Sequence, residues 1–424
     1  VYILGGYQSD FSRNYTREGK SLFDLLRETT QGVLAASKLD ASAIEVAHVG
    51  NFVAELACHQ GHLGALLVEA EPSLTGLAAA RHEAACASGS VAAVAALADL
   101  HSGHYDVALV LGIELLRNKH TVEAQAQLGV AALVPEETEG ITYPWPKLLS
   151  DVGDEYARRY GLDSAHLRAL ARNNFACARR NPNAQGRDWK LDERCFSDDD
   201  EKNPVIAGRL RRHDCCPVTD GGAAIVLASA AAAERYAERL GLPLSALPRI
   251  TGFGHRTARV SLRHKLMEHQ NSEYLFPHVR RTIVDAFSRA GLKGVEDLHT
   301  IECHDCFTVM EYMLLDHFGF GPPGWPCQAI EDGAVLWGGR IPVNPSGGLL
   351  GVGHPVGATG VRMLLDAAKQ VSGTAGAYQV EGARRAATLN IGGSAGTSVC
   401  FIVESERPLP PPPPAPTVVV NSQA

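Results

Sequence analysis

Residues 82–112 read HEAACASGSVAAVAALADLHSGHYDVALVLG. From Ala84 to Ala98 the run is almost wholly small or apolar and stops at Asp99, which predicts a buried helix that lets other backbone come close. Asp106–Gly112 is a continuous apolar run of the kind found in a strand covered on both faces. The second half of the chain repeats this order. Gly353–Gln370, GHPVGATGVRMLLDAAKQ, is a glycine-rich turn entering a helix, and Arg385–Ile391 and Val399–Glu404 are apolar strands around IGGSAG. Further strands are predicted at Val1–Gly6, Ala47–Val53, Ala223–Ser229, Arg249–Phe253 and Leu298–Cys303, with amphipathic helices over Phe23–Leu34 and Val279–Ala290. Two α/β halves of similar order imply duplication, a pseudo-two-fold and an active site between them.

Working outward, the 424 residues suggest about three domain-sized units, and 45% hydrophobic against 20% charged residues exclude disorder of the whole. A net charge of −8 argues against bulk binding of nucleic acid or anionic membrane, though not against a local basic site. No apolar run reaches the roughly 18 residues that span a bilayer. The ten cysteines, at 58, 86, 177, 195, 215, 216, 303, 306, 327 and 400, are scattered, so reduced thiols are expected. Pro410 to Pro414 predict a polyproline-like tail.

From about Arg117 to Arg212 the texture changes, with YPWP, NPN and DDDEKNP interrupting the strand-and-helix rhythm. Tyr156–Arg187 holds seven Arg against one Asp, and Arg168, Arg172 and Arg179 share one face of a predicted helix. That face is either an ordinary solvated surface or a cap turned toward a phosphorylated ligand.

Three constellations can carry chemistry. Cys86 lies among small residues where a helix opens, so unpaired N–H groups there favour thiolate and can hold an oxyanion; the alternative is a buried structural thiol. His354 sits on a rigid glycine-rich turn, where it is either a structural histidine or the base for a cysteine nucleophile. No Gly-Lys-Ser/Thr follows that turn, and His354 and Pro355 break the dinucleotide pattern, so it is not a nucleotide loop. The third is Cys303-His304-Asp305-Cys306-Phe307. With His213-Asp214-Cys215-Cys216 it could make a zinc site or a redox pair; alternatively Cys303 packs inward at a strand end and leaves His304, Asp305 and Cys306 on a functional loop.

With Cys86, His304, Cys306 and His354 set side by side, the chain resembles the thiolase superfamily over residues 1–405. CASG, GHPVGATG and the C-terminal glycine loop occur in the family's order and at about its spacings. The likeness is closest to the sterol-carrier-protein-type thiolases. His304-Asp305-Cys306-Phe307 stands where most thiolases carry Asn-Glu-Ala-Phe, and Asn390 stands where most carry a second catalytic cysteine. The resemblance implies that Cys306 takes over that cysteine's acid/base work.

It further implies a duplicated α/β fold layered α-β-α-β-α with a loop domain. The N-terminal half is expected at 1–116 and 213–248, the loop domain over the coenzyme A site at 117–212, the C-terminal half at 249–406 and the proline-rich tail at 407–424, without the lipid-carrier domain sometimes fused in that subgroup. The implied reaction is CoA-dependent cleavage of a 3-ketoacyl-CoA to acetyl-CoA and a shortened acyl-CoA, or the reverse condensation, through acyl-Cys86. His354 would activate Cys86, with the thiol pKa needing only modest lowering, and Cys306 would move the carbon-acid proton. His304 and His354 would form one oxyanion hole, the N–H groups of Cys86 and Gly392 the other. Coenzyme A and acyl-CoA enter as substrates, with no tightly bound cofactor or metal. A homodimer or tetramer with a role in fatty-acid β-oxidation, in a mitochondrial or peroxisomal-type matrix, is the implied setting. Two rivals are a condensing enzyme of the ketoacyl-synthase type and a non-catalytic thiolase-like CoA-binding protein. Cys306 disfavours the first, and the four retained residues disfavour the second.

Overall fold

The computed structural model describes residues 1–409, so the expected polyproline stretch lies outside the described residues. Eleven strands follow in chain order: β1 (Tyr2–Gln8), β2 (Val46–Gly50), β3 (Ala78–His82), β4 (Val107–Glu114), β5 (Val205–Ala207), β6 (Leu210–Arg211), β7 (Gly221–Ala228), β8 (Arg249–Thr257), β9 (Thr300–Cys303), β10 (Arg385–Gly392) and β11 (Thr397–Glu404). β5 and β6 form a small hairpin, and the other nine make one mixed sheet in the order β3-β2-β4-β7-β1-β8-β11-β10-β9.

The duplication read from the sequence is visible in the strand directions. β2–β4 is parallel, and β4–β7 and β7–β1 are antiparallel. Their counterparts repeat the pattern, with β9–β10 parallel and β10–β11 and β11–β8 antiparallel. The halves join at a thin seam, the pair Tyr2↔Arg249, and β3 is an additional edge strand beside β2. β4 and β7 are buried along all eight residues each, as their apolar sequence requires up to the terminal Glu114 of β4.

Two helices, Ser88–Ser102 and Val356–Ser372, lie together against strands of both halves in one core that includes Ala92, Ala96, Ala358, Val361, Ile225 and Phe401. Close approach is what the small residues permit. A Cβ on Gly89 would lie 2.5 Å from the carbonyl oxygen of Gly357. With Ala92, Ala93 and Ala96 fully buried, larger residues there would overpack the layer at about 1–3 kcal/mol each. Counting the turn before it, Ala85–Ser102 is an 18-residue apolar helical stretch with a mean hydropathy of 1.2, more than half of it buried inside the protein as a core helix. The insert between β4 and β7 is largely helical, with Pro144–Tyr160 and Ser164–Ala178 packed on Thr308–Phe318 of the C-terminal half.

Candidate active site

Cys86 lies in a short 3-10 turn, Ala85–Ala87, between β3 and the helix Ser88–Ser102. Ala85 adopts a left-handed φ of 51°. The turn is held locally: the Ala84 N–H donates to Ser88 Oγ at 2.9 Å, Ser88 Oγ–H donates to the Ala85 carbonyl at 2.6 Å, and the Ala85 N–H donates to Glu83 at 2.6 Å. The N–H groups of Gly393 and of Cys86 itself point at the sulfur. Gly392, expected from the sequence to help hold the oxyanion, is the residue before Gly393; it closes β10 with no room for a side chain against the Ala84 carbonyl. The expected easy ionisation is also corrected. Burial pushes the Cys86 thiol up to about 12, overriding the two N–H groups, so a base must take its proton during the reaction.

The glycine-rich turn places an imidazole that could serve. The His354 N–H donates to Thr219 Oγ1 at 2.9 Å, and the ring Nδ1 lies 2.7 Å from Thr359 Oγ1. Thr359 Oγ1–H donates to the Pro355 carbonyl at 3.2 Å, so the hydroxyl accepts from His354 Nδ1–H. Nε2 is then the bare nitrogen, and it is buried without a partner. Burial, with the charge of nearby Arg362, lowers His354 to about 3 and keeps it neutral. Arg362 is itself fully buried, 3.0 Å from both Glu302 and Asp366.

β9 delivers the remaining two groups. Cys303 turns into the core, where Asn344 Oδ1 accepts its N–H at 2.8 Å. The loop after it is pinned by Asp305, whose carboxylate accepts from Leu349 N, Leu350 N and Asn174 Nδ2. His304 stands edge-on to His354, with ring centroids 5.1 Å apart at 85°, and Asn390 Nδ2 lies 3.0 Å from its Nδ1. Cys306 lines the same cavity, and burial, with Cys216 and Cys86 beside it, holds its thiol well above the usual range. Cys86, His304 and His354 each bring a ligand-type atom within 4.8 Å of the other two. Among the described residues this is the trio that could take a soft metal ion, and such an ion would sit on the reactive sulfur. The four residues singled out in the sequence thus meet in one place.

Around them is an apolar cavity walled by Phe52, Leu128, Trp145, Leu149, Phe307 and Val356. It adjoins a groove of about 820 Å³ that carries Arg17, Arg117, Lys119, Lys190 and Arg212, and both are lined by Gln125, Pro146, Cys215 and Cys216. The basic face predicted at Arg168, Arg172 and Arg179 is not on this groove. Arg168 pairs with Asp198, Arg172 pairs with Glu193, and Arg179 reaches the Leu191 carbonyl. Helical spacing gathered those arginines on one face without revealing which way the face would turn.

Sequence reasoning placed Cys216 only in a possible zinc or redox cluster and missed Glu114. The Cys216 N–H donates to the Cys306 carbonyl at 2.9 Å, which ties the loop after β9 to the segment leading into β7. Glu114, at the end of apolar β4, accepts from Phe52 N, Val53 N, Gly357 N and Asn51 Nδ2 at 2.9–3.2 Å. A lone acid ending an all-apolar strand was the available signal for it.

Residues 1–231 match the family described as thiolase, N-terminal domain, and residues 261–405 the family described as thiolase C-terminal domain-like. An acetyl-CoA acetyltransferase of Methanothermobacter thermautotrophicus is 30% identical over 414 residues, covering 95% of this chain and 98% of that protein. Sterol carrier protein 2 of Gallus gallus is 28% identical over 409 residues, 92% of this chain and 69% of that one. A solved structure described as Ltp2-ChsH2(DUF35) aldolase superposes with a TM-score of 0.75 at 20% identity, over 95% of this chain and 97% of that one, a likeness of fold.

Proposed function

The chain belongs to the thiolase family, and from that premise we propose that it is an acyltransferase that cleaves 3-ketoacyl-CoA with coenzyme A, and runs the reverse condensation, through an acyl group on Cys86. The observation that carries this is the meeting of Cys86, His304, Cys306 and His354 in one apolar cavity, beside a groove bearing five cationic side chains.

The neutral His354 Nε2 takes the Cys86 proton as sulfur attacks the 3-keto carbon. The bond between the alpha and 3-keto carbons breaks. Its electron pair remains on the acetyl-CoA fragment as an enolate, whose oxygen His304 and the now protonated His354 stabilise. Cys306 gives its proton to the enolate carbon and becomes a thiolate; its high resting pKa suits a thiol that must be protonated before this step. Coenzyme A thiol then gives its proton to the Cys306 thiolate and attacks acyl-Cys86, and the oxyanion at that carbon faces the backbone N–H groups of Cys86 and the Gly392–Gly393 loop. Its collapse releases the shortened acyl-CoA and expels Cys86, which regains its proton from His354. No bound cofactor takes part. The pyrophosphate and ribose phosphate of coenzyme A suit the groove, where Arg17, Lys190 and Arg212 have no ion-pair partner among the described residues.

The test is thiolysis of acetoacetyl-CoA and of a long-chain 3-ketoacyl-CoA side by side, in chelator, with mass spectrometry of the enzyme. Turnover of at least one substrate, acetylation of Cys86 by acetyl-CoA, and protection of Cys86 from iodoacetamide are expected. Absence of turnover with both substrates, with no label on Cys86, overturns the reading in favour of a non-catalytic CoA-binding protein.

A further inference from the structure

The mechanism uses His304 as a hydrogen-bond donor but gives no part to Asn390, Ser90 or Gly360. β9 and β10 run parallel with Cys303 opposite Leu389, so the next residue of each, His304 and Asn390, meet just beyond that pair. Asn390 Nδ2 lies 3.0 Å from His304 Nδ1, and Ser90 Oγ lies 2.9 Å from Asn390 Oδ1. Ser90, His304 and Asn390 are each about 1% exposed, so each polar atom needs a partner inside this group.

The order of donors follows. Ser90 O–H donates to Asn390 Oδ1, which turns the amide N–H₂ onto His304 Nδ1. Nδ1 is then an acceptor, and the single proton of the neutral ring sits on Nε2. With the amide reversed, the Ser90 proton would have no acceptor within the group and His304 would present a bare nitrogen beside the bare Nε2 of His354. Only His354, once it holds the Cys86 proton, would then donate to the enolate oxygen, and His304 would set a lone pair against it. Gly360, in the second turn of the helix Val356–Ser372, makes room for the pair: a Cβ there would press on Ser90 Oγ and lie 2.6 Å from Asn390 Oδ1.

We propose that Asn390, oriented by Ser90, is a positioning residue that locks His304 in its Nε2–H tautomer, so that one of two facing imidazoles is a donor while Thr359 makes the other a base. This deepens the function proposed above and rests on it for the catalytic consequence, whereas the tautomer itself is readable without any activity.

The test uses the full-length protein with ¹⁵N-labelled histidine, the His304 signals being assigned by their loss in His304→Asn. Wild type is expected to carry the proton on Nε2. In Asn390→Asp the carboxylate can only accept, so the proton moves to Nδ1. Thiolysis kcat with acetoacetyl-CoA then falls about 10²-fold, the scale of one oxyanion donor, while the KM for coenzyme A stays within about threefold. Ser90→Ala leaves the amide free to turn, giving both tautomers and a smaller loss of kcat. Should Asn390→Asp fail to fold, the wild-type and Ser90→Ala spectra still decide. A wild-type proton on Nδ1 overturns the proposal, as does Asn390→Asp with a shifted proton and unchanged kcat. A wild type with the stated tautomer and no thiolysis at all overturns the function and leaves the tautomer lock standing.

Discussion

In the N-terminal half, β2 runs out through Gly50 into Asn51, and the neighbouring β4 ends on Glu114, whose carboxylate gathers that asparagine and three backbone N–H groups. In the C-terminal half the counterpart β9 runs out into His304, and the neighbouring β10 brings up Asn390. The crossing is the same and the use differs. A carboxylate only accepts, so Glu114 ties off loops around the site; an amide both accepts and donates, so Asn390 can set a neighbour's proton. Duplication supplied the placement, and side-chain identity decided which crossing became a clamp and which can set a neighbour's proton.

That contrast can be broken most severely at the single reactive atom of the N-terminal half. Cys86→Ala, which removes only the sulfur among small residues, is expected to lower thiolysis by about 10³-fold or more while the fold and coenzyme A binding persist. Acetyl label found elsewhere on the mutant after incubation with acetyl-CoA would move the nucleophile. Next comes the proton carrier of the C-terminal half. Cys306→Ala should reduce thiolysis and condensation by about 10²-fold, yet acylation of Cys86 by acetyl-CoA should suffer less, because His354 takes that thiol's proton. Equal losses in both measurements would merge the two roles.

The clamp half answers to stability measurements. Burial pushes the Glu114 carboxyl up to about 7 despite its four N–H donors. Its folded pKa therefore exceeds the unfolded value, the folded state holds the extra proton, and stability from this group declines as pH rises from about 4.5 through about 7. Glu114→Gln abolishes that slope and sets an amide N–H₂ against N–H donors, at a cost of about 3 kcal/mol read by denaturant unfolding near neutral pH. A variant as stable as wild type with the slope intact would show that Glu114 clamps nothing. The smallest effect belongs to the groove. Arg212→Ala or Lys190→Ala should raise the KM for coenzyme A by about threefold to tenfold with kcat unchanged, and added salt should shrink the difference. A salt-independent loss of kcat would make these residues part of the site's framework.

How far the site was legible depended on distance along the chain. Cys86 and His354 announced themselves through local context, since a cysteine among small residues and a histidine in a glycine-rich turn are short patterns. The duplicated strand order was legible too, because apolar runs such as Asp106–Gly112 report burial on both faces without reference to anything remote. The edge strand β3, AAARH, escaped because alanine carries no strand period and only its pairing with β2 makes it a strand.

The sequence by itself determined the two α/β halves, the small-residue helix layer and the candidate residues that the fold gathers, because helical and strand periods and glycine turns are local physics. Only the tertiary structure decided the protonation chemistry. The Cys86 thiol is raised where a helix start alone would lower it, because packing around the thiol in the fold costs the thiolate more than two N–H groups can offset. Likewise Arg168 and Arg172 pair with neighbouring acids while Arg17, far away in sequence, lines the groove. Ion pairs and desolvation are set by what folds beside a residue, and residues such as Ser90 and Asn390 stand 300 positions apart in the chain and 2.9 Å apart in space.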